Sequence, residues 1–306
     1  MTIAAVGQIR STADISANLA QCRRLVHRAA AAGAKVRCIR VDIIHYCPLI
    51  LEQALFLPEA SDFVASSPQQ SVRLAYPLGE SEFVLGLRRE AQRAGLHVNV
   101  GIHEPTTGDR VKNSSIWIDD KGVITQRYHK LHLFNTTTEQ ESRHGKGILP
   151  VFETPVGRVG LMMCFDVSQI NESFNMRRPA KLMAFWPQLR FPEMSLALRR
   201  QDAQILSYGS AFLAETGPAH WETLLRARAI ETQCYVIAAA QAGPHNEKRS
   251  SYGHAMIVNP WGEVVTRLGD EQEVPEIATA DIDLGFLSRV RKEMKLPRRT
   301  DIYSKI

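Results

Sequence analysis

The sequence lacks any apolar run approaching the roughly 18 residues that a membrane-spanning helix needs. Proline- or serine-rich linkers and low-complexity tracts are also missing, which excludes a collagen, a disordered tail or a tethered array. Cysteine is scarce: five in 306 residues, an odd number with no CxxC spacing. That argues against a disulfide framework and fits a reducing compartment. There is no phosphate-binding glycine loop. Met1 to Val6 runs straight into strand-like sequence without a basic segment followed by an apolar one, so no secretory leader is expected. The expected location is cytoplasmic. Ser304-Lys305-Ile306 narrowly misses a peroxisomal address, and a mitochondrial or peroxisomal location stays open. Net charge is +5, but lysine and arginine are interspersed with acids. This reads as a solvated surface, and neither a nucleic-acid nor a membrane partner is expected.

What is present is a chain 44% hydrophobic and 23% charged, ordinary for a globular α/β protein. Strands are expected over 3–9, 54–57, 97–103, 111–118, 123–130, 158–165, 203–208, 235–241, 254–258, 263–267 and 277–282. Helices are expected over 14–32, 80–94, 191–201, 219–233 and 285–294. Gly33 stands where a helix-ending C′ glycine belongs, and Asp120-Lys121-Gly122 where a hairpin turns. The alternation implies one α/β domain spanning 1–306, with sheets covered by helices.

Three strand ends carry reactive side chains. They are Leu57-Pro58-Glu59, then Lys130-Leu131-His132-Leu133-Phe134, then Cys164-Phe165-Asp166. Strand ends on one sheet edge are where α/β proteins build sites. A carboxylate, an ammonium and a thiol together suit nucleophilic acyl transfer. Alone, each has an ordinary reading: Glu59 as a turn carboxylate, Lys130 as a solvated lysine, Cys164 as a small core residue. His129 and His132 are spaced so that they serve different faces or elements, and no metal site or cofactor is expected.

Together, and in this order, the three motifs resemble the carbon–nitrogen hydrolase (nitrilase-like) superfamily. The likeness implies an α-β-β-α four-layer sandwich, a homodimer and a small-molecule amide substrate. It implies Glu59 as general base, with a pKa raised by burial, Lys130 as oxyanion partner and Cys164 as nucleophile, aided by the Phe165 backbone N–H. Gln140-Glu141-Ser142 matches a further family motif, which makes Glu141 the fourth catalytic candidate, with Glu139 as its neighbour. The segments His220-Trp221-Glu222, Glu231 to Val236 and His245 to Arg249 resemble the deaminated-glutathione amidase branch. That branch implies cleavage of deaminated glutathione to 2-oxoglutarate and cysteinylglycine. It also implies that Arg190, Phe212 and Thr216 line the substrate pocket. Gly209 stands where relatives usually carry proline. Rival readings are an omega-amidase acting on 2-oxoglutaramate and an inactive interaction protein of the same fold.

Two stretches break the texture, 36–53 and 167–188. Each begins with valine and ends with glutamine. A retained GT…CAG intron lying between codons must be translated in that way. The expectation is that both are translated introns, or irregular excursions outside the sandwich.

Overall fold

Side-chain alternation lets each central strand serve two cores. The computed structural model describes residues 2–38, 52–132, 147–164, 191–270, 275–299 and 301–302. Strands β1 (Thr2–Ile9) and β2 (Glu52–Phe56) are parallel neighbours, with Ala5 beside Leu55. Ala5, Ile9 and Leu55 belong to one buried cluster, while Ala4, Val6, Ala54 and Phe56 belong to the other. That division follows from the period of two along a strand.

Helices α1 (Ile15–Cys38) and α3 (Glu82–Ala94) cover the first face, burying Leu19, Leu25, Phe83 and Leu87. Asp14 accepts from the Ala17 N–H at the start of α1. Ser81 does the same for Val84 at α3, and Gly95 closes α3 in the left-handed region at φ 58°. A short helix, α2 (Pro68–Leu74), precedes α3. The sheet continues through β3 (His97–Pro105), β4 (Val111–Ile118) and β5 (Ile124–His129).

The second sheet starts with β6 (Phe152–Thr154) and β7 (Gly157–Met163). Helix α4 (Pro192–Arg200) leads to β8 (Ile205–Gly209), and α5 (Gly217–Thr232) to β9 (Tyr235–Ala238). A hairpin, β10 (Ala240–Asn246) and β11 (Arg249–Tyr252), returns to the first sheet. Strands β12 (Met256–Val258) and β13 (Val264–Arg267) rejoin the second. Strand β14 (Glu276–Asp281) and helix α6 (Leu284–Glu293) follow. Among the described residues the first sheet runs β11-β10-β1-β2-β3-β4-β5, with β14 antiparallel on β1. The second runs β13-β12-β9-β8-β7-β6.

The inner faces of the two sheets meet. Trp117 on β4 meets Phe152 on β6 edge-on at 5.4 Å, and Ser207 Oγ on β8 donates to Asn99 Oδ1 on β3 at 2.8 Å. Outside the second sheet, Gly160 of β7 lets Leu198 of α4 approach closely. Helix α5 buries Trp221, Leu225 and Ala229. The result is the four-layer α-β-β-α sandwich.

The structure corrects four local expectations. Residues 235–241 form no single strand: β9 lies in the second sheet and β10 in the first. The run is buried throughout and apolar up to Ala240, so periodicity carries no mark of the change. Residues 245–249, outside every strand and helix expected from the sequence, are the turn and ends of the β10–β11 hairpin. Gly33 does not end α1, which continues to Cys38; its missing Cβ makes room for the Gln53 amide. Finally, the ends of the first odd stretch are regular. Residues 36–38 continue α1, and Glu52 and Gln53 pair with Thr2 and Ile3. Apart from those five positions, both odd stretches lie outside the described residues.

Candidate active site

Glu59 lies three residues past the end of β2 and is 1% exposed. Its backbone is gripped from two sides. A Cβ on Gly101 would lie 2.5 Å from Glu59 Cα, and one on Gly209 would lie 3.2 Å from the Glu59 nitrogen. Gly101 also accepts from the Ser61 N–H and donates to the Pro58 carbonyl. Beyond the turn, Ala60 takes a left-handed φ of 53°, a conformation an alanine adopts only under constraint. The buried Gln241 supplies that constraint. Its Nε2 lies 2.9 Å from the Glu59 carbonyl and 3.1 Å from that of Ala60.

Lys130 sits one residue past β5, with its N–H on the Asn113 carbonyl at 3.0 Å. Tyr128 and Lys130 alternate onto the inner face, as do Trp117, Ser115 and Asn113 on the neighbouring strand β4. Lys130 Nζ and Asn113 Nδ2 each lie 2.6 Å from Glu59 Oε1. Glu59 Oε2 accepts from the Ala211 N–H at 3.0 Å, just past β8. Cys164 directly follows β7 with φ 32°, again in the left-handed region. Its thiol lies close enough to the Glu59 carboxylate for the two groups to shift each other's titration. The first sheet thus contributes the carboxylate, ammonium and amide, and the second the thiol and a backbone donor. The site lies in the seam between them, at strand C-terminal ends.

The electrostatics reverse one expectation. Burial alone would raise the Glu59 pKa. The adjacent Lys130 charge and hydrogen bond outweigh it, with help from Arg249 and the thiol, and hold Glu59 at about 2. Cys164 moves the other way: burial, then the Glu59 charge, push its thiol upward. At rest the proton is on sulfur and Glu59 is a carboxylate.

Of the other sequence-derived candidates, Phe165, Arg190 and Glu141, with Glu139, lie outside the described residues. Phe212 follows Ala211 and is buried against Trp221 at 5.1 Å. Thr216 precedes α5 with a buried Oγ1 that has no hydrogen-bond partner among the described residues. His129 meets Ser114 at 2.8 Å, and His132 stacks on Phe191 at 3.6 Å. Sequence reasoning missed Asn113, Ala211, Gln241 and Gly101. Asn113 sits in a strand and Ala211 acts through its backbone, so neither carries a local signal.

A buried Glu–Lys pair against a cysteine at the end of a parallel strand defines a thiol-dependent hydrolase on an α-β-β-α frame. The carbon–nitrogen hydrolase family model matches residues 53–185 and 183–292, and the chain belongs to that family. The match begins at residue 53 and breaks at 183–185. The chain is 41% identical to a "Probable hydrolase nit2" of Schizosaccharomyces pombe, over the whole of both sequences. It is 36% identical to the human "Deaminated glutathione amidase", covering all of this chain and 85% of that protein. Among solved structures, the NitFhit protein of C. elegans aligns with a TM-score of 0.80 at 34% identity. That alignment covers 99% of this chain and 66% of the other. Saccharomyces cerevisiae Nit3 shares the fold at a TM-score of 0.71 and 24% identity.

Proposed function

We propose that this carbon–nitrogen hydrolase is a deaminated-glutathione amidase. The full-length likeness to the human protein of that name supports the substrate. The observation that carries the chemistry is the buried Glu59–Lys130 pair, 2.6 Å apart, beside the Cys164 thiol. An amide is a weak electrophile and a thiol near its ordinary pKa is a weak nucleophile at neutral pH. Glu59 removes the thiol proton as sulfur attacks, which spares the site a free thiolate that burial disfavours. The same transfer neutralises Glu59 and releases the Lys130 charge to the oxyanion forming on the carbonyl carbon. Lys130 is therefore paired in both states, and its stabilisation grows as the oxyanion appears. Glu59 then returns the proton to the leaving nitrogen, and cysteinylglycine departs. A 2-oxoglutaryl thioester remains on Cys164. Water, deprotonated by Glu59, attacks it; the thiolate leaves and is reprotonated, and 2-oxoglutarate is released.

In this reading Glu141 orients Lys130, the Phe165 N–H assists the oxyanion, Arg190 takes a substrate carboxylate, and Phe212 and Thr216 line the pocket. The chain works as a homodimer in the cytoplasm, with no cofactor and with neither nucleic acid nor membrane as partner. No helix among the described residues is long and apolar enough to cross a membrane. The test is a side-by-side assay on deaminated glutathione and 2-oxoglutaramate. A higher kcat/KM on deaminated glutathione is expected; a higher value on 2-oxoglutaramate makes the chain an omega-amidase. Inactivity on both overturns the enzyme reading in favour of an interaction protein.

A further inference from the structure

We propose that Asn113 is a substrate-contacting residue whose Oδ1 accepts the N–H of the scissile amide. This rests on the amidase reading. Asn113 is 2% exposed and points into the seam between the sheets. Its Nδ2 donates to Glu59 Oε1 at 2.6 Å. That orientation is dictated by chemistry: an ionised carboxylate already bonded to Lys130 accepts a hydrogen and repels an amide oxygen. Asn113 Oδ1 therefore points away from Glu59, and it has no hydrogen-bond partner among the described residues. A buried acceptor left unpaired is costly, so its place beside the reacting groups calls for a ligand donor.

The reaction supplies one at this position. Glu59 must reach the leaving nitrogen to protonate it, and Asn113 is bonded to Glu59. In a secondary amide that nitrogen keeps one hydrogen through the tetrahedral intermediate. Holding the hydrogen on Asn113 Oδ1 turns the nitrogen lone pair toward the proton on Glu59. The contact strengthens as the nitrogen takes the proton from Glu59 and gains positive charge, so it favours the transition state for departure of the amine over the bound substrate.

An ester with the same acyl group has no such hydrogen, which separates this role from simple support of Glu59. For Asn113→Ala, kcat/KM on the amide is expected to fall about tenfold or more beyond any fall on the ester, the equivalent of one hydrogen bond. An unchanged amide-to-ester ratio overturns the proposal and leaves the amidase reading intact. If the parent hydrolyses neither substrate, both readings fail. Should Asn113→Ala not fold, the structure of the Cys164→Ser variant with bound amide decides. Asn113 Oδ1 within hydrogen-bond distance of the amide nitrogen supports the role; the nitrogen bonded elsewhere refutes it.

A separate observation carries a second inference: we infer that residues 36–53 and 167–188 are retained introns absent from the active polypeptide. The stretches hold 18 and 22 residues, or 54 and 66 nucleotides at three per codon, both in frame. Val36-Arg37 and Val167-Ser168 can be encoded GTACGT and GTAAGT, both good donor sequences, and Gln53 and Gln188 can each be CAG. The family match independently starts at the last residue of the first stretch and breaks inside the second. The second stretch also separates Cys164 from Arg190, where a small misplacement of reacting groups costs about 10²-fold. Sequencing transcripts from the source organism tests this. Messages lacking both segments are expected, and a chain trimmed of both should be at least as active as the full chain. Transcripts that uniformly keep both segments, or a trimmed chain that is inactive while the full chain works, overturn it.

Discussion

Lys130 Nζ lies 2.6 Å from Glu59 Oε1 and helps hold that carboxylate ionised, and each residue has a distinct kinetic signature. Lys130→Met removes the proposed oxyanion partner and the charge that keeps Glu59 ionised. A loss on the order of 10²–10³ in kcat is expected, the cost of an oxyanion donor. Because Glu59 stays ionised down to about 2, the acid side of the kcat/KM profile should be flat from pH 8 to pH 5. In Lys130→Met the acid limb moves up into that range, since burial then acts unopposed. An inflection near pH 6 in the parent enzyme contradicts the assignment. His245 provides a stability test apart from the chemistry. Its Nδ1 lies 2.8 Å from the Ser11 carbonyl, an acceptor, so Nδ1 carries the hydrogen and Nε2 accepts from Ser251. Burial, then the Arg249 charge, lower its pKa to about 4. The neutral form is the one the fold favours. Its stabilisation is complete above the ordinary value near 6.5 and is lost as pH falls toward 4, about 3 kcal/mol in all. The melting temperature of His245→Gln should therefore fall less than the parent's between pH 6.5 and 4.

At the scale of elements, the turn after β2 depends on close backbone packing. Gly101→Ala would force a methyl to 2.5 Å from Glu59 Cα and 2.9 Å from the Pro58 carbonyl. Neither atom can rotate away, so the Glu59 turn must shift. The expected result is a loss of about 10²-fold in kcat with a destabilisation of about 1–3 kcal/mol, read from turnover and thermal melting. Unchanged kcat would show that the turn has slack. The same packing explains what the sequence reveals. Glu59, Lys130 and Cys164 were legible because each lies within three residues of a strand's C-terminal end, inside a recognisable motif. Helices α3 and α6 were legible as expected helices; their caps, Ser81 for one and Asp283 for the other, emerge only in the structure. The division of 235–241 between β9 and β10 was not, because an apolar run buried on both faces looks the same in either sheet. Asn113 and Gln241 were not legible either: their partners are 54 and 182 residues away. The Glu59 pKa was misread for the same reason, since burial is visible in sequence and the geometry of Lys130 is not.

For the whole molecule, the seam between two sheets sets the chemistry. Glu59, Lys130 and Asn113 come from one sheet, and Cys164 and Ala211 from the other, so activity depends on the sheets keeping their spacing. The contacts that set it are Trp117 on Phe152 and Ser207 on Asn99. Ser207→Ala leaves the buried Asn99 Oδ1 short of a donor. It should cost about 1–3 kcal/mol of stability by denaturant unfolding, with kcat falling too if the seam transmits the change. The central claim is covalent catalysis by Cys164 on an amide, and acyl-enzyme trapping tests it most directly. The enzyme is mixed with deaminated glutathione, quenched in acid within the first turnovers, and the peptide bearing Cys164 is weighed. A 2-oxoglutaryl thioester on Cys164 is expected, absent from Cys164→Ala together with turnover. No adduct on Cys164, with Cys164→Ala turning over like the parent, would contradict the account.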